Sequence, residues 1–459
     1  MNTKVLSAAP LMKKLILYIF LICFCITSNA QSYNSLNRSE ETTIRIKEYI
    51  DTLRIIDTHE HLLNPDFLRK TNILDFFLLM NHYYYDDLIT AGMPEEFFNK
   101  LYNGNMPPEE KWKLIEPYWN RSLNTSFALV AKVAARNLFN VNEINANTVG
   151  ILTQRIKSAY NNKNWFETIL KDSCRIEYLV QDDDALALKV DWIKYVKRFT
   201  PWLNVRTKFG IDSIAMEQVE PIFTLEDFVK SLRNEFEKGL KNGMVGIKVI
   251  SAYSRNLYFE KTDIAAARKV FKTLVSGDED LQIPWEKAKP LQDYMFHQLM
   301  EMAKQHGVPV IFHTGLQAGQ GNDIRNSNPV LLANLFHEYP DVRFVLFHGS
   351  YPYGGELATL AKTYSNVYID MNWTYAISPS YAKRYLSEWL ETIPASKIMA
   401  FGGDYNCVEN IYGVYQIAKQ IITEVLTEKV SNNQLSENEA RQVAKMILHD
   451  NAVEFYGLP

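Results

Sequence analysis

From Ile55 to the C-terminus, the chain repeats one pattern: a short apolar run, then a segment whose apolar residues have helical spacing. Strands and helices that alternate in this way form parallel sheets with right-handed crossovers. Eight such units predict an α/β fold, a closed (β/α)8 barrel of the TIM type, because an open doubly wound sheet should show a glycine-rich phosphate loop after its first strand. The predicted strands are residues 55–61, 175–180, 202–208, 245–251, 308–313, 342–348, 367–370 and 398–401.

Residues 65–171 depart from this pattern. Their apolar residues keep helical spacing, clusters of Asn, Gly and Pro separate the segments, and few strand-like runs interrupt them. They predict a helical insertion after the first strand, which would emerge at the barrel rim and cap a site there. A further helix is predicted after the second strand and ending at Val196.

The N-terminal stretch is typical of a secretory signal peptide. Two lysines precede the apolar run 15–27, and Ser28-Asn29-Ala30 supplies small residues at the −3 and −1 positions of a cleavage site. The run is too short to remain as a membrane anchor. We therefore expect a signal peptide over residues 1–30 and a mature barrel domain over residues 31–459, periplasmic or secreted. Met12 is an alternative start.

Charge and cysteine content restrict the partners. The formal net charge is −4 and no basic tract occurs, so neither nucleic acid nor an anionic membrane surface is expected as a partner. Cys174 and Cys407, the two cysteines beyond the leader, are far apart in sequence, and a chain of this size can build its core without crosslinks, so both are expected to be free thiols. The expected partner is a small-molecule substrate; a homo-oligomer is left open.

Residue types that bind metals follow several predicted strands. Listed in chain order they are His59 and His61 after the first strand, Lys248 in the fourth, His313 after the fifth, His348 after the sixth and Asp404 after the eighth. A His-x-His pair alone is equally consistent with surface histidines. In a barrel, however, the carboxyl ends of all strands meet at one rim, where active sites are built. Because four of the nine histidines fall at such ends, the sequence predicts a metal site there.

This ordered set resembles the amidohydrolase superfamily, and within it the amidohydrolase-related metal-dependent hydrolases. The likeness covers residues 55–458. It includes the Asp-Thr-His-Glu-His run at residues 57–61, the Phe-Gly-Gly-Asp run at 401–404 and the closing segment 451–457.

A looser likeness connects the chain to uronate isomerase, another member of that superfamily. It rests on residues 74–92, with His82-Tyr83-Tyr84, and on the run Asp182-Asp183-Asp184. The arginine-rich C-terminal stretch of that family has no convincing counterpart here, which weakens sugar-acid isomerisation as an interpretation.

Metal chemistry assigns roles to the strand-end residues. His59, His61 and His313 would supply neutral nitrogens and Asp404 a carboxylate to one divalent ion, with zinc the favoured metal. Such an ion would lower the pKa of bound water from about 15.7 towards 7. Asp404 would accept the proton of that water and pass it to the leaving group. His348, offset from the metal in mononuclear relatives, would polarise the substrate oxygen; its alternative is a core histidine.

Lys248 and Arg255 are candidate substrate-binding cations. In binuclear members of the superfamily a carbamylated lysine on the fourth strand bridges two metals, but the context of Lys248 resembles the mononuclear group, where it would meet a substrate carboxylate. A buried structural ion pair is the third alternative for Lys248. Arg255 would clamp a carboxylate with two hydrogen bonds, and its alternative is a solvated surface charge.

Two further side chains are candidate substrate contacts. His82 lies in the helical insertion beside a run of tyrosines, and Trp373, just past the seventh strand, could stack on a ring or sugar. Packing in the core is the alternative for each.

Together these features predict an exported metal-dependent hydrolase that adds an activated water to a C–O or C–N bond of a small polar metabolite. The first alternative is a sugar-acid isomerase or a non-oxidative decarboxylase on the same scaffold. The second is a barrel that binds a ligand without turning it over. A barrel alone does not fix the reaction.

Overall fold

The structure is a computed structural model that describes residues 40–70, 73–102, 105–182, 190–279 and 281–459. The predicted signal peptide and its cleavage site lie outside these ranges, so export stays a prediction. Among the described residues, every helix is too short or too polar to cross a lipid bilayer.

Eight parallel strands form one sheet in which each strand pairs with the next along the chain. They are β1 (Ile55–Glu60), β2 (Ile176–Asp182), β3 (Ile193–Arg198), β4 (Met244–Val249), β5 (Val310–Phe312), β6 (Phe344–Leu346), β7 (Val367–Asp370) and β8 (Ile398–Met399). Beyond the end of β8, the Thr58 amide donates to the Phe401 carbonyl at 3.1 Å and the Asp404 amide to the His59 carbonyl at 2.9 Å. The chain after β8 thus joins β1, and the predicted (β/α)8 barrel is confirmed.

The third strand was predicted in the wrong place. Residues 193–198 form β3, whereas the prediction made the segment up to Val196 a helix and put the strand at 202–208. Three of the six residues of β3, Lys194, Lys197 and Arg198, are charged, so the segment lacks the apolar run that marks the other strands. Pro201 occupies the start of a short helix, Thr200–Leu203, a position that suits proline because the amide there has no helical partner.

Helices surround the barrel and form the insertion. Helix α1 spans residues 40–52; the insertion between β1 and β2 contains α2 (Pro65–Lys70), α3 (Tyr84–Thr90), α4 (Phe97–Leu101), α5 (Pro108–Ser122), α6 (Ser126–Phe139), α7 (Val149–Tyr160) and α8 (Trp165–Glu167). The later helices are α9 (Thr200–Leu203), α10 (Lys208–Gln218), α11 (Leu225–Lys241), α12 (Ile264–Val275), α13 (Trp285–His306), α14 (Ala333–Glu338), α15 (Gly354–Thr363), α16 (Thr374–Ile377), α17 (Pro379–Thr392), α18 (Val408–Ser431), α19 (Glu437–Lys445) and α20 (Asn451–Tyr456).

Helix α20 closes the amino-terminal end of the barrel. Phe455 packs against Tyr368, at the start of β7, with ring centroids 5.0 Å apart, and Arg343, just before β6, donates to the Glu454 carbonyl at 2.9 Å. Apolar side chains from six strands or their ends fill the interior above this plug. Because these side chains fill the amino-terminal end of the barrel, a cavity inside the barrel can form only at the carboxyl ends of the strands.

The helical insertion is held by polar contacts that are buried. Lys111 on α5 lies 2.5 Å from Asp75, and neither side chain is more than 7% exposed. Asp75 also accepts from the Phe77 amide at 2.8 Å and so begins the 3-10 turn Phe76–Leu79. Glu409, at the start of α18, accepts hydrogen bonds from Trp165 at 2.7 Å and Tyr160 at 3.2 Å. The Lys111–Asp75 pair thus stabilises the insertion itself, and the Glu409 contacts join the insertion to α18.

Replacing Lys111 by Met should lower the free energy of unfolding by about 3–5 kcal/mol, because it leaves the Asp75 carboxylate as an unpaired buried charge. The measurement is the midpoint of urea unfolding. Lys230→Met is the matched control: its ion pair with Glu220, at 2.9 Å, is exposed, and its loss should cost at most about 1 kcal/mol. Equal midpoints for the two variants would contradict the prediction.

Candidate metal centre and active site

A cavity of about 250 Å³ opens at the carboxyl ends of the strands. Its lining residues come from the ends of six strands and from the insertion: His59, His61, Tyr83, Asp182, Arg198, Lys248, Ile250, Tyr253, His313 and Asp404. A larger groove of about 510 Å³ lies outside the barrel among α1, α6 and α18. Two cations of this groove, Lys47 and Lys419, already pair with Asp51 at 2.6 and 2.7 Å. The candidate functional site is therefore the cavity at the carboxyl ends of the strands.

Three side chains meet in the geometry of a metal site. Oδ1 of Asp404 lies 3.2 Å from Nε2 of His61 and 3.4 Å from Nε2 of His59, and one ligand atom from each residue falls within 4.8 Å of the others. Two imidazoles and a carboxylate are a common donor set for zinc and similar divalent ions. His61 is partly exposed while the other two are buried, so the group opens towards the cavity. These residues fit a divalent metal.

The protonation states also fit a cation. Burial, together with the charge of Lys248, holds the pKa of His59 well below its usual value, so the ring is neutral. Burial alone would raise the pKa of Asp404, but the imidazoles of His59, His61 and His348 hold it well below its usual value. A neutral imidazole and an ionised carboxylate are the forms that bind metals.

His313 and His348, both at strand ends as predicted, bond to each other. Nε2 of His313 donates to the Leu316 carbonyl at 2.9 Å, since a carbonyl only accepts. Its Nδ1 then accepts from Nε2 of His348 at 2.8 Å, which leaves Nδ1 of His348 facing Asp404 at 3.5 Å. His313 lines the cavity but does not join the three-residue group, so its role as fourth ligand stays a prediction.

The cations of the cavity are Lys248 and Arg198. Arg198 makes two hydrogen bonds to Asp182, at 2.6 and 2.8 Å. Nζ of Lys248 lies 3.8 Å from Asp182 and 3.4 Å from Nε2 of His59, and it sits 3.9 Å above the Phe347 ring. Burial, opposed by Asp182 and Asp404, lowers the pKa of Lys248 to about 8. Lys248 therefore lies where a substrate contact was predicted, and its ion pair with Asp182 is shared with Arg198.

The insertion contributes Tyr83. Its hydroxyl donates to Oδ1 of Asp404 at 2.6 Å, and burial together with Asp404 raises its pKa well above the usual value, so it stays protonated. His82 and Trp373 were predicted to touch substrate, but neither lines the cavity. The His82 ring stacks on Tyr83 at 3.9 Å and the Trp373 ring packs on it at 4.3 Å. Both therefore support Tyr83, because its ring occupies the space between them and the cavity.

Arg255 was also predicted as a substrate contact, and this is wrong. It is fully buried and pairs with Asp293 at 2.7 Å, donating besides to the side chain of Gln292 and the carbonyl of Tyr258. Asp293 in turn pairs with Lys289. The alternative prediction for Arg255, a solvated surface charge, is wrong as well. The guanidinium is satisfied inside the wall and does not reach the cavity.

Sequence reasoning missed Arg198, Asp182, Tyr83 and Tyr253. Arg198 ends β3, so the strand-end rule would have selected it had that strand been placed correctly. Asp182 ends β2 and belongs to a run that was noted only as a likeness. Tyr83 comes from the insertion, where no strand end marks it. Tyr253 follows β4, and its hydroxyl accepts from the Ala318 amide at 3.1 Å.

Known proteins resemble this chain in sequence and fold. The family model described as amidohydrolase matches residues 257–458. The protein fluG of Emericella nidulans is 28% identical over 223 residues, which cover 47% of this chain but only 26% of fluG, so the chain spans about a quarter of that relative. A uronate isomerase of Thermotoga neapolitana is 21% identical over 458 residues, covering 92% of this chain and 97% of the isomerase. The crystal structure of uronate isomerase from Thermotoga maritima has a TM-score of 0.75 at 17% identity, over 91% of this chain and 97% of that one.

The predicted likeness to the amidohydrolases and to uronate isomerase is confirmed. The preference for a hydrolase is wrong. The Thermotoga neapolitana and Thermotoga maritima proteins, which both align over nearly their whole length, are uronate isomerases. The strand-end ligands that suggested hydrolysis are compatible with either reaction, so they did not discriminate between the two.

The wild-type protein should bind one equivalent of a divalent ion such as zinc, and His59→Ala/His61→Ala should bind none, because two of the three grouped ligands are lost. The measurement is elemental analysis after equilibrium dialysis. The control is His306→Ala/His337→Ala, which removes two exposed histidines outside the cavity. Equal metal content in the two double variants would contradict the site.

Proposed function

We propose that this chain, an enzyme with an amidohydrolase-type barrel, is a sugar-acid isomerase that interconverts an aldose uronic acid and its ketose isomer. One observation carries the proposal: the carboxylate of Asp404 and the hydroxyl of Tyr83 are joined at 2.6 Å in a cavity that also presents Arg198 and Lys248. The near full-length likeness to uronate isomerases supports it.

The cations suit the carboxylate of a sugar acid. The side chain of Arg198 lines the cavity and is 29% exposed, so its positive charge can attract a carboxylate there while its bonds to Asp182 hold it in place. Lys248 adds a second positive charge, and Asp182 balances one of the two. The sugar carboxylate would be held at the β3–β4 side of the cavity, with the reacting carbons turned towards Asp404 and Tyr83 at the β8–β1 side.

Isomerisation moves a proton between neighbouring carbons and a second proton between their oxygens. Asp404, held ionised, would take the proton from the carbon next to the carbonyl and return it to the carbonyl carbon, so no water is consumed. Tyr83, held protonated, would give its proton to the carbonyl oxygen that gains negative charge and would take one back from the neighbouring hydroxyl. A divalent ion held by His59, His61 and Asp404 would supply Lewis-acid polarisation of the sugar oxygens.

The insertion is bonded to a loop that also contacts Tyr253 of the cavity wall. Asp86 on α3 accepts from the Gly319 amide at 2.9 Å, which joins the insertion to the loop after β5. Tyr253 and Ala318 fasten the same loop on its inner side. The loop after β5 is thus bonded to the insertion on one side and to the cavity wall on the other.

In H2O, metal-loaded protein should convert glucuronate or galacturonate to a product of unchanged mass. In D2O, deuterium should enter the product at the reacting carbon, since a carbon-bound proton is exchanged. NMR and mass spectrometry give the readout. Asp404→Asn and Tyr83→Phe should each slow turnover by about 10²–10⁴-fold, because each removes a proton-transfer group.

Tyr84→Phe is the matched control for Tyr83→Phe. It removes a neighbouring buried hydroxyl, which bonds to Ser122 within the insertion and not to Asp404, and its turnover should stay close to the wild-type value. Addition of water, loss of carbon dioxide, or no turnover of either uronate by metal-loaded protein would reject the isomerase.

The Michaelis constant for the uronate should rise above about pH 8, because Lys248, whose pKa is lowered to about 8, then loses the charge that attracts the substrate. Lys248→Arg should remove this rise, since arginine keeps its charge. Lys397 is a buried lysine with its pKa also lowered to about 8 but outside the cavity, so Lys397→Arg should leave the rise unchanged. An unaltered profile in Lys248→Arg would exclude Lys248 from substrate binding.

A further inference from the structure

The segment that carries Asp404 adopts an unusual backbone. Asp404 has φ +61°, in the left-handed region that non-glycine residues rarely occupy. Residues 402–406 belong to neither a helix nor a strand. Contacts with β1 therefore hold the Asp404 carboxylate in place. The Asp404 amide supplies one of them, donating to the His59 carbonyl at 2.9 Å.

Glu60 makes the contacts on either side of Asp404. Its Oε1 accepts from the Gly403 amide at 2.9 Å and its Oε2 accepts from the Tyr405 amide at 2.7 Å. Both oxygens of one fully buried carboxyl group thus bind the residues that flank Asp404. Pairing between β1 and β2 is irregular between Asp57 and Glu60, and such a bulge re-aims a side chain.

Two glycines allow the Asp404 segment to approach β1 closely. A Cβ on Gly403 would lie 2.2 Å from Oε1 of Glu60, and one on Gly402 would lie 2.7 Å from the Thr58 hydroxyl. The two glycines therefore let the segment press against β1, and the carboxyl group of Glu60 fills the space that results.

We propose that Glu60 is a positioning residue: it holds Asp404 in the left-handed conformation that puts Oδ1 within reach of His59, His61 and Tyr83. This inference rests on the proposed role of Asp404. Glu60 is not among the cavity-lining residues, and it contacts the Asp404 segment through the backbone amides of Gly403 and Tyr405. In sequence, Glu60 is next to both predicted histidine ligands, whereas Gly403 and Tyr405 lie far away, near the other end of the chain.

The test is zinc affinity, measured by competition with a chromophoric chelator. Glu60→Gln replaces one acceptor oxygen by an NH2 group that faces an N–H donor, so it should displace the segment and weaken zinc binding by about 10–100-fold, as loss of groups that orient ligands does. Asp404→Asn gives the size of the effect when the carboxylate itself is lost. The cobalt-loaded Glu60→Gln protein should show an altered visible spectrum.

Glu409→Gln is the matched control. Glu409 is equally buried and also accepts two hydrogen bonds, but its partners are Trp165 and Tyr160 of the insertion. Its thermal midpoint should fall as that of Glu60→Gln does, while its zinc affinity stays within about twofold of wild type, since it does not touch the Asp404 segment. If Glu60→Gln does not fold, Glu60→Asp replaces it, and the same weakening is expected.

Three results would overturn the inference: wild-type zinc affinity in the folded Glu60 variant, equal weakening in the Glu60 and Glu409 variants, or wild-type affinity in Asp404→Asn. Failure of the proposed function looks different. A protein that binds zinc, loses affinity in Glu60→Gln and turns over no uronate would retain the positioning role and reject the isomerase.

Discussion

The junction between β1 and the chain after β8 is the contact on which the site depends. Backbone hydrogen bonds from Thr58 to Phe401, from Asp404 to His59 and from His61 to Tyr405 join the two ends of the barrel. The same bonds bring the Asp404 carboxylate to the two imidazoles of β1. The hydrogen bonds that close the barrel therefore also bring the predicted metal ligands together. Without this closure, the histidines of β1 would have no carboxylate beside them.

Backbone strain concentrates at this rim. His348, Ser350, Trp373 and Asp404 all follow strands and all have positive φ without being glycine. Each such residue costs of the order of 1–3 kcal/mol and persists only where its surroundings fix it. Here they do: the Trp373 amide donates to the Gly402 carbonyl, so the β7 and β8 ends support each other. The barrel provides the stability that keeps these side chains in an otherwise unfavourable arrangement.

The sequence predicted the parts of this arrangement that follow from strand ends. An apolar run followed by His or Asp is visible in one dimension, so β1, β5, β6 and β8 and their terminal residues could be found. Strand β3 could not be found, because three of its six residues are lysine or arginine, and Arg198 was missed with it. Arg255 was misjudged because its partner Asp293 is distant in sequence, so the burial of the pair shows only in three dimensions. Tyr83 reaches Asp404 through the packing of the insertion, which no local pattern encodes.

The balance of charge in the cavity favours a sugar acid over a neutral substrate. Arg198 and Lys248 are offset by Asp182 and Asp404, while the buried histidines His59, His313 and His348 are kept neutral. The cavity is thus close to neutral by itself, and with a divalent ion bound it has an excess of two positive charges. A neutral amide or lactone would leave that excess uncompensated in a site of low dielectric constant, where unpaired charge is costly. One substrate carboxylate beside Arg198 and Lys248 reduces it, and a negative charge that develops on a sugar oxygen during enolisation reduces it further. In the proposed isomerase, the same electrostatic excess that would bind the acid would therefore also lower the barrier to moving its proton.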